Sequence, residues 1–186
     1  RSVSDAMALV DIHLKLSQVE EARGVLQQAL RLHRLHPQVL EYQWYFASLD
    51  GDEALAMRNL RLLADIHFDT ASKLSEVVNK QISSMNKENE TEQEQEIEGN
   101  LHRLSQLLFD KNRIALLHAK FLIKKGEKDS AMQALAGVSA HEADFLRYGL
   151  RISRGELDES RTIIARLYEK EPQIYRQHYI AFLMET

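Results

Sequence analysis

The chain has 186 residues, 44% of them hydrophobic and 28% charged, enough for one well-cored domain or a short repeat array. Its net charge of −4 argues against a general nucleic-acid binder, which would show a dominant basic footprint. The absence of cysteine excludes disulfides, thiolate metal sites and cysteine nucleophiles, and no apolar run reaches the roughly 18–20 residues of a membrane span.

Only 7 Gly and 2 Pro interrupt a sequence rich in Leu, Ala, Glu, Gln, Arg and Lys, residues that lose little entropy in a helix. An all-α fold follows. Residues 4 to 16 place Met7, Val10 and Leu14 at helical spacing. Ser17-Gln18-Val19-Glu20 reads as a capping box that opens a second helix carrying Ala22, Leu26 and Ala29 on one stripe. Pro37 lies just past that helix and can start the next one at its first turn. The third helix holds Tyr42, Trp44, Tyr45 and Phe46, of which Trp44 is expected in the core and Tyr45 or Tyr42 outside it. Asp50-Gly51-Asp52 is a turn signal, and Glu53 to Leu63 returns. Ser17, Ala22 and Leu26 are thus echoed by Gly51, Ala56 and Leu60, 34 residues later. Such a period indicates stacked helix pairs.

A longer helix is expected from Ile66 to Met85. Residues 86 to 98 then carry Glu88, Glu92 and Glu96, and Glu90, Glu94 and Glu98, at i,i+4 spacing, which opposes a helix. This run reads as a solvated, flexible acidic insertion in which only Ile97 could be buried, followed by a short helix with Leu101, Leu104, Leu107 and Leu108. After Asp110, Ile114, Leu117, His118, Phe121 and Leu122 form a helical stripe ended by Gly126, with His118 expected in the core. Ser130 to Val138 returns. Ser139-Ala140-His141-Glu142 reads as a further capping box, Gly155 closes its helix, Ile163, Ile164 and Leu167 line the partner, and Ile174 to Met184 begins another helix. The organisation expected is two hairpins over 1–64, an irregular middle over 65–111, and two hairpins plus a terminal helix over 112–186. The start at Arg1 and the apolar end are those expected of a segment of a longer chain, from either a cytoplasmic or a periplasmic protein.

No chemistry converges in this pattern. His33 and His36 near Glu41 lack a third ligand fixed by spacing, so no metal is expected. There is no nucleophile elbow and no Gly-rich phosphate loop, and the expectation is a non-enzyme without a cofactor.

The residues at fixed places in these hairpins resemble the tetratricopeptide repeat. Units counted from Val3, Pro37, Asn112 and His141 supply Ser17 and Ala22, Gly51 and Ala56, Gly126 and Ala131, and Gly155, Ser160 and Pro172. Trp44 and Tyr148 depart from it by filling its small-residue position, and Gly126 and Gly155 are only 29 apart. The resemblance implies an α-α superhelix of antiparallel hairpins that binds a peptide or protein segment in its concave groove, as a scaffold within a larger assembly, secretion or biogenesis protein. Carried onto matching positions, the groove residues are Asp11, Lys15, Glu41 and Tyr45 in the first two units and Arg113, Lys120 and Lys124 in the third, the last three forming a basic strip suited to an acidic peptide or a terminal carboxylate. A protein or peptide partner is therefore expected, with no nucleic acid and no membrane insertion. The alternative is a regulatory or sensory domain that takes an effector or forms a homo-oligomer.

Overall fold

The computed structural model describes residues 2–66, 68–85, 90–107 and 110–185, which form eleven α-helices and no strand. They are α1 (Val3–Lys15), α2 (Val19–Leu32), α3 (Pro37–Asp50), α4 (Glu53–Ala64), α5 (Phe68–Ser84), α6 (Glu90–Gln106), α7 (Lys111–Lys124), α8 (Lys128–Ala134), α9 (His141–Ile152), α10 (Leu157–Lys170) and α11 (Pro172–Glu185). Contacts divide the chain into two compact units, 1–77 and 78–186, with the boundary inside α5.

Four hairpins share one turn. Ser17, Gly51, Gly126 and Gly155 adopt the left-handed conformation, with φ of 58°, 71°, 80° and 75°. The next amide in each donates to a carbonyl five residues back: Gln18 to His13, Asp52 to Ala47, Glu127 to Leu122 and Glu156 to Arg151, at 2.8–3.0 Å. This bond satisfies an orphan carbonyl of the first helix while reversing the chain into the second. Ser17 is therefore not a cap: Gln18 is the N-cap of α2 and its side chain makes no capping bond. Ser139 does not cap α9 either, whose N-cap is Ala140. The capping box that does form is Ser2 with Asp5, at the start of α1.

In unit 1, α1, α2 and α3 close around Met7, Val10, Ala22, Leu26, Val39 and Phe46, while α4 buries Leu60 and Leu63. Arg23 of α2 reaches α3, donating to both oxygens of Asp50 at 2.7 and 2.5 Å with its guanidinium 4.6 Å from the Phe46 ring centre. Trp44 is only half-buried and carries the Lys73 ammonium 5.1 Å from its ring, so the expected core position is instead a cation-stacking one.

In unit 2 the α7/α8 hairpin and α9 bury Ala119, Leu122, Ala131, Leu135 and Leu150, while α9, α10 and α11 bury Tyr148, Ile164, Leu167, Tyr175 and Phe182. The expected flexible insertion is overturned for residues 90–98, which are the first half of α6; residues 86–89 lie outside the described residues. Like-charge pairs at i,i+4 cost only about 0.2–0.5 kcal/mol each. Against that, Ile97, Leu101 and Leu104 are buried, and a fully buried aliphatic side chain contributes about 1.5–3 kcal/mol. Lys125 also brings a counter-charge, 3.5 Å from Glu94, 3.4 Å from Glu98 and 3.4 Å from Glu127. Burial of its ammonium works against the charged form, yet these carboxylates outweigh it and raise the Lys125 pKa. His118 is exposed, not in the core: the buried side of α7 is Leu117, Ala119, Phe121 and Leu122. None of the described helices is long and apolar enough to cross a membrane.

Two stability measurements follow. A Cβ added at Gly51 meets nothing within 4 Å, so Gly51→Ala tests backbone conformation alone. It is expected to lower the urea-unfolding free energy by about 1–2 kcal/mol, whereas Ser17→Gly relieves the same strain and does not destabilise. Ile97→Ala is expected to cost about 2–5 kcal/mol, the cost of an emptied core site; a solvated loop would show no such loss.

Candidate protein-binding face

The expected site residues all lie on first helices of hairpins: Asp11 and Lys15 on α1, Glu41 and Tyr45 on α3, and Arg113, Lys120 and Lys124 on α7. In unit 1, Asp11, Lys15, Glu41 and Tyr45 are all exposed, the last by 40%. Two of them are braced. The Tyr42 hydroxyl donates to Asp11 across α1 and α3, and Lys73 stands 3.7 Å from Glu41. Burial, then the hydrogen bond to Asp11, raises the Tyr42 pKa above its ordinary value, because ionisation would place a phenolate against a carboxylate. Met7, at a position where the repeat presents a ligand-facing residue, is buried. Leu49, 58% exposed, lies one turn beyond Tyr45 on the same side of α3. These two form an apolar step between the charges.

In unit 2 the basic strip is largely engaged within the fold. Arg113 is half-buried and interacts with other groups of the chain. Lys120 donates to the Asn79 side-chain carbonyl at 2.9 Å and stands 2.7 Å from Glu142 of α9. Lys124 is exposed and pairs with no carboxylate among the described residues. Lys120 thus works as a strut joining α5, α7 and α9. Sequence reasoning passed over Glu142, although it holds the second position of the unit counted from His141, and Asn79, which no spacing links to α7.

Unit 2 offers apolar residues instead. Ile152 on α9 and Ile180 and Leu183 on α11 are 39%, 45% and 52% exposed. Ile152 is the twelfth residue of α9, and Ile180 and Leu183 are the ninth and twelfth of α11, which opens at Pro172 as α3 opens at Pro37. The described residues contain no cluster of three or more His, Cys, Asp or Glu able to hold a metal.

The chain is similar in structure to a thermophilic TPR protein in Thermus thermophilus, known from a crystal structure, at 18% identity and a TM-score of 0.57 over 98% of this chain and 100% of that one. The fold is accordingly tetratricopeptide-like, an all-α array of antiparallel helix hairpins. No family model matches the chain, and no curated protein sequence does.

Two tests separate the struts from free groups. A double-mutant cycle of Lys120→Ala and Glu142→Ala is expected to show a coupling of about 0.2–1 kcal/mol, as for a partly exposed pair; additivity would mean the strut contributes nothing. Since folding raises the Tyr42 pKa, the native state holds that proton more tightly. Its contribution is complete below the ordinary tyrosine value near 10 and is lost as pH rises above it. Unfolding followed from pH 9 to 11 should therefore show a shallower alkaline decline for Tyr42→Phe than for the parent chain (about one tyrosine's worth).

Proposed function

We propose that the chain is a non-catalytic protein-interaction scaffold whose first-helix faces take an extended peptide or protein segment. One observation carries this reading. Exposed apolar residues recur at the ligand positions of the repeat in both units: Tyr45 and Leu49 on α3, Ile152 on α9, Ile180 and Leu183 on α11. Single exposed apolar side chains need no explanation, but their return at equivalent places on successive hairpins marks a face that trades water for a partner. The charges around them favour specificity over strength, since Asp11, Glu41 and Lys120 are already held by Tyr42, Lys73 and Glu142. A preferred segment is therefore mainly apolar, with an acidic group to meet Lys124. This departs from a wholly basic groove built on Arg113, Lys120 and Lys124.

Panning a peptide-display library against the 186-residue chain tests the reading directly. Enriched peptides should carry spaced apolar anchors. Tyr45→Ala combined with Leu49→Ala should weaken them at least about tenfold, the cost of losing one anchoring contact, with the melting temperature unchanged. Peptides whose affinity ignores these changes, and ignores Ile180→Ala with Leu183→Ala, would refute the assignment of the face.

A further inference from the structure

We infer that unit 2 carries a second, separate binding site: a cation-lined cleft between the α8–α9 connection and α10 that takes a phosphate monoester. The cleft lies between the α8–α9 connection, α9 and α10, and none of its lining residues is among the apolar residues or Lys124 on which the first-helix reading rests.

Arg147 builds the floor. It donates to the carbonyl oxygens of Leu135 and Val138 and to Asp144 Oδ1, the last two at 2.7 Å, and so ties down the connection after α8 around left-handed Gly137. Asp144 uses its other oxygen for Arg166 of α10, at 2.8 Å. One little-exposed carboxylate therefore orients two guanidiniums. Arg166 keeps a half-exposed side chain with donors to spare, and Lys170, one turn further along α10, is exposed and pairs with no carboxylate among the described residues.

The charge balance points to the ligand. Arg147, Arg166 and Lys170 against Asp144 leave two positive charges facing a space of about 530 Å³. Arg151, the other cation of the lining, is matched by Glu156 at 2.5 Å, and Glu171, which lies outside the lining after the end of α10, is turned to His141. A lone carboxylate would satisfy one guanidinium fork and leave the second charge unmet. A phosphate monoester carries about −1.5 to −2 charges near pH 7 and three acceptor oxygens, which suits cations arriving from two helices. The space exceeds what a single ion fills, so a phosphorylated side chain with its neighbours fits it.

The test titrates the whole chain, at fixed ionic strength, with inorganic phosphate and with a short phosphoserine peptide, using its serine and glutamate counterparts as controls. Calorimetry and amide chemical shifts are the readouts. The phosphoserine peptide is expected to bind and to shift amides at 137–141 and 166–170, and the serine peptide is not. Arg166→Ala with Lys170→Ala should weaken binding at least about tenfold, the loss expected on removing a charge-assisted contact. Lys111→Ala with Lys128→Ala removes the same charge elsewhere in the unit and should change nothing. Competition by free phosphate would identify a small-anion site, and its absence a site for phosphorylated protein; either outcome supports the cleft. Equal binding of the serine or glutamate peptide, no binding of the phosphopeptide, or equal weakening by the two double variants would overturn it. Circular dichroism on both variants checks that each keeps its fold.

Discussion

Everything in this chain depends on a single backbone device, the left-handed residue that lets one helix fold back on the next. At Ser17, Gly51, Gly126 and Gly155 the same φ and the same hydrogen bond to a carbonyl five residues earlier recur. The bond removes a polar liability at a helix end, and the reversal brings two amphipathic stripes together. Neither stripe could be buried alone, because a helix of 7–14 residues is marginal in water without a packing partner. Packing then requires small side chains where the helices approach, and Ala22, Ala131 and Ser160 are fully buried there. Turn, stripe and small residue are parts of one constraint.

That constraint also explains the exposed side of each first helix. With one stripe committed to its partner helix and flanks to the neighbouring hairpin, the remaining positions are free of packing duty. Some are used for struts between first helices, as in Tyr42 to Asp11 and Lys120 to Glu142. Others carry exposed apolar residues. The electrostatics are local: charges such as Arg23 with Asp50, Lys120 with Glu142 and Arg154 with Asp129 are drawn into pairs, so the net charge of −4 says little about any one surface. The cleft around Asp144 is an exception, because its cations outnumber its carboxylate.

Much of the helical layout was legible from periodicity and punctuation. Pro37 and Pro172 open helices, Gly51, Gly126 and Gly155 close them, and the Leu and Ala stripes lie on the buried sides. Local signals misled where two structures share one signature. Ser17 before Glu20 fits a capping box, but the turn needed a left-handed residue there, and its equivalence to Gly51 was the better guide. The charges of the acidic run, taken alone, oppose a helix. The Lys125 ammonium comes from 27 to 31 residues further along the chain, and the burial of Ile97 exists only in the packed structure. The seven expected site residues lie on α1, α3 and α7, and their spacing could not reveal that Lys120 is claimed by Asn79 and Glu142.

The sequence by itself determined the all-α class, the hairpin unit and its turns, since these rest on contacts within about four or five residues, which spacing encodes directly. Tertiary structure alone decided which charges remain available, whether the acidic segment is helical, and that Arg147, Arg166 and Lys170 surround one cleft. Those outcomes join side chains far apart in the chain, 22 residues for Arg166 with Asp144 and 41 for Lys120 with Asn79. Their energies are set by mutual distance and by what else competes for each charge, quantities that appear only once the helices are packed.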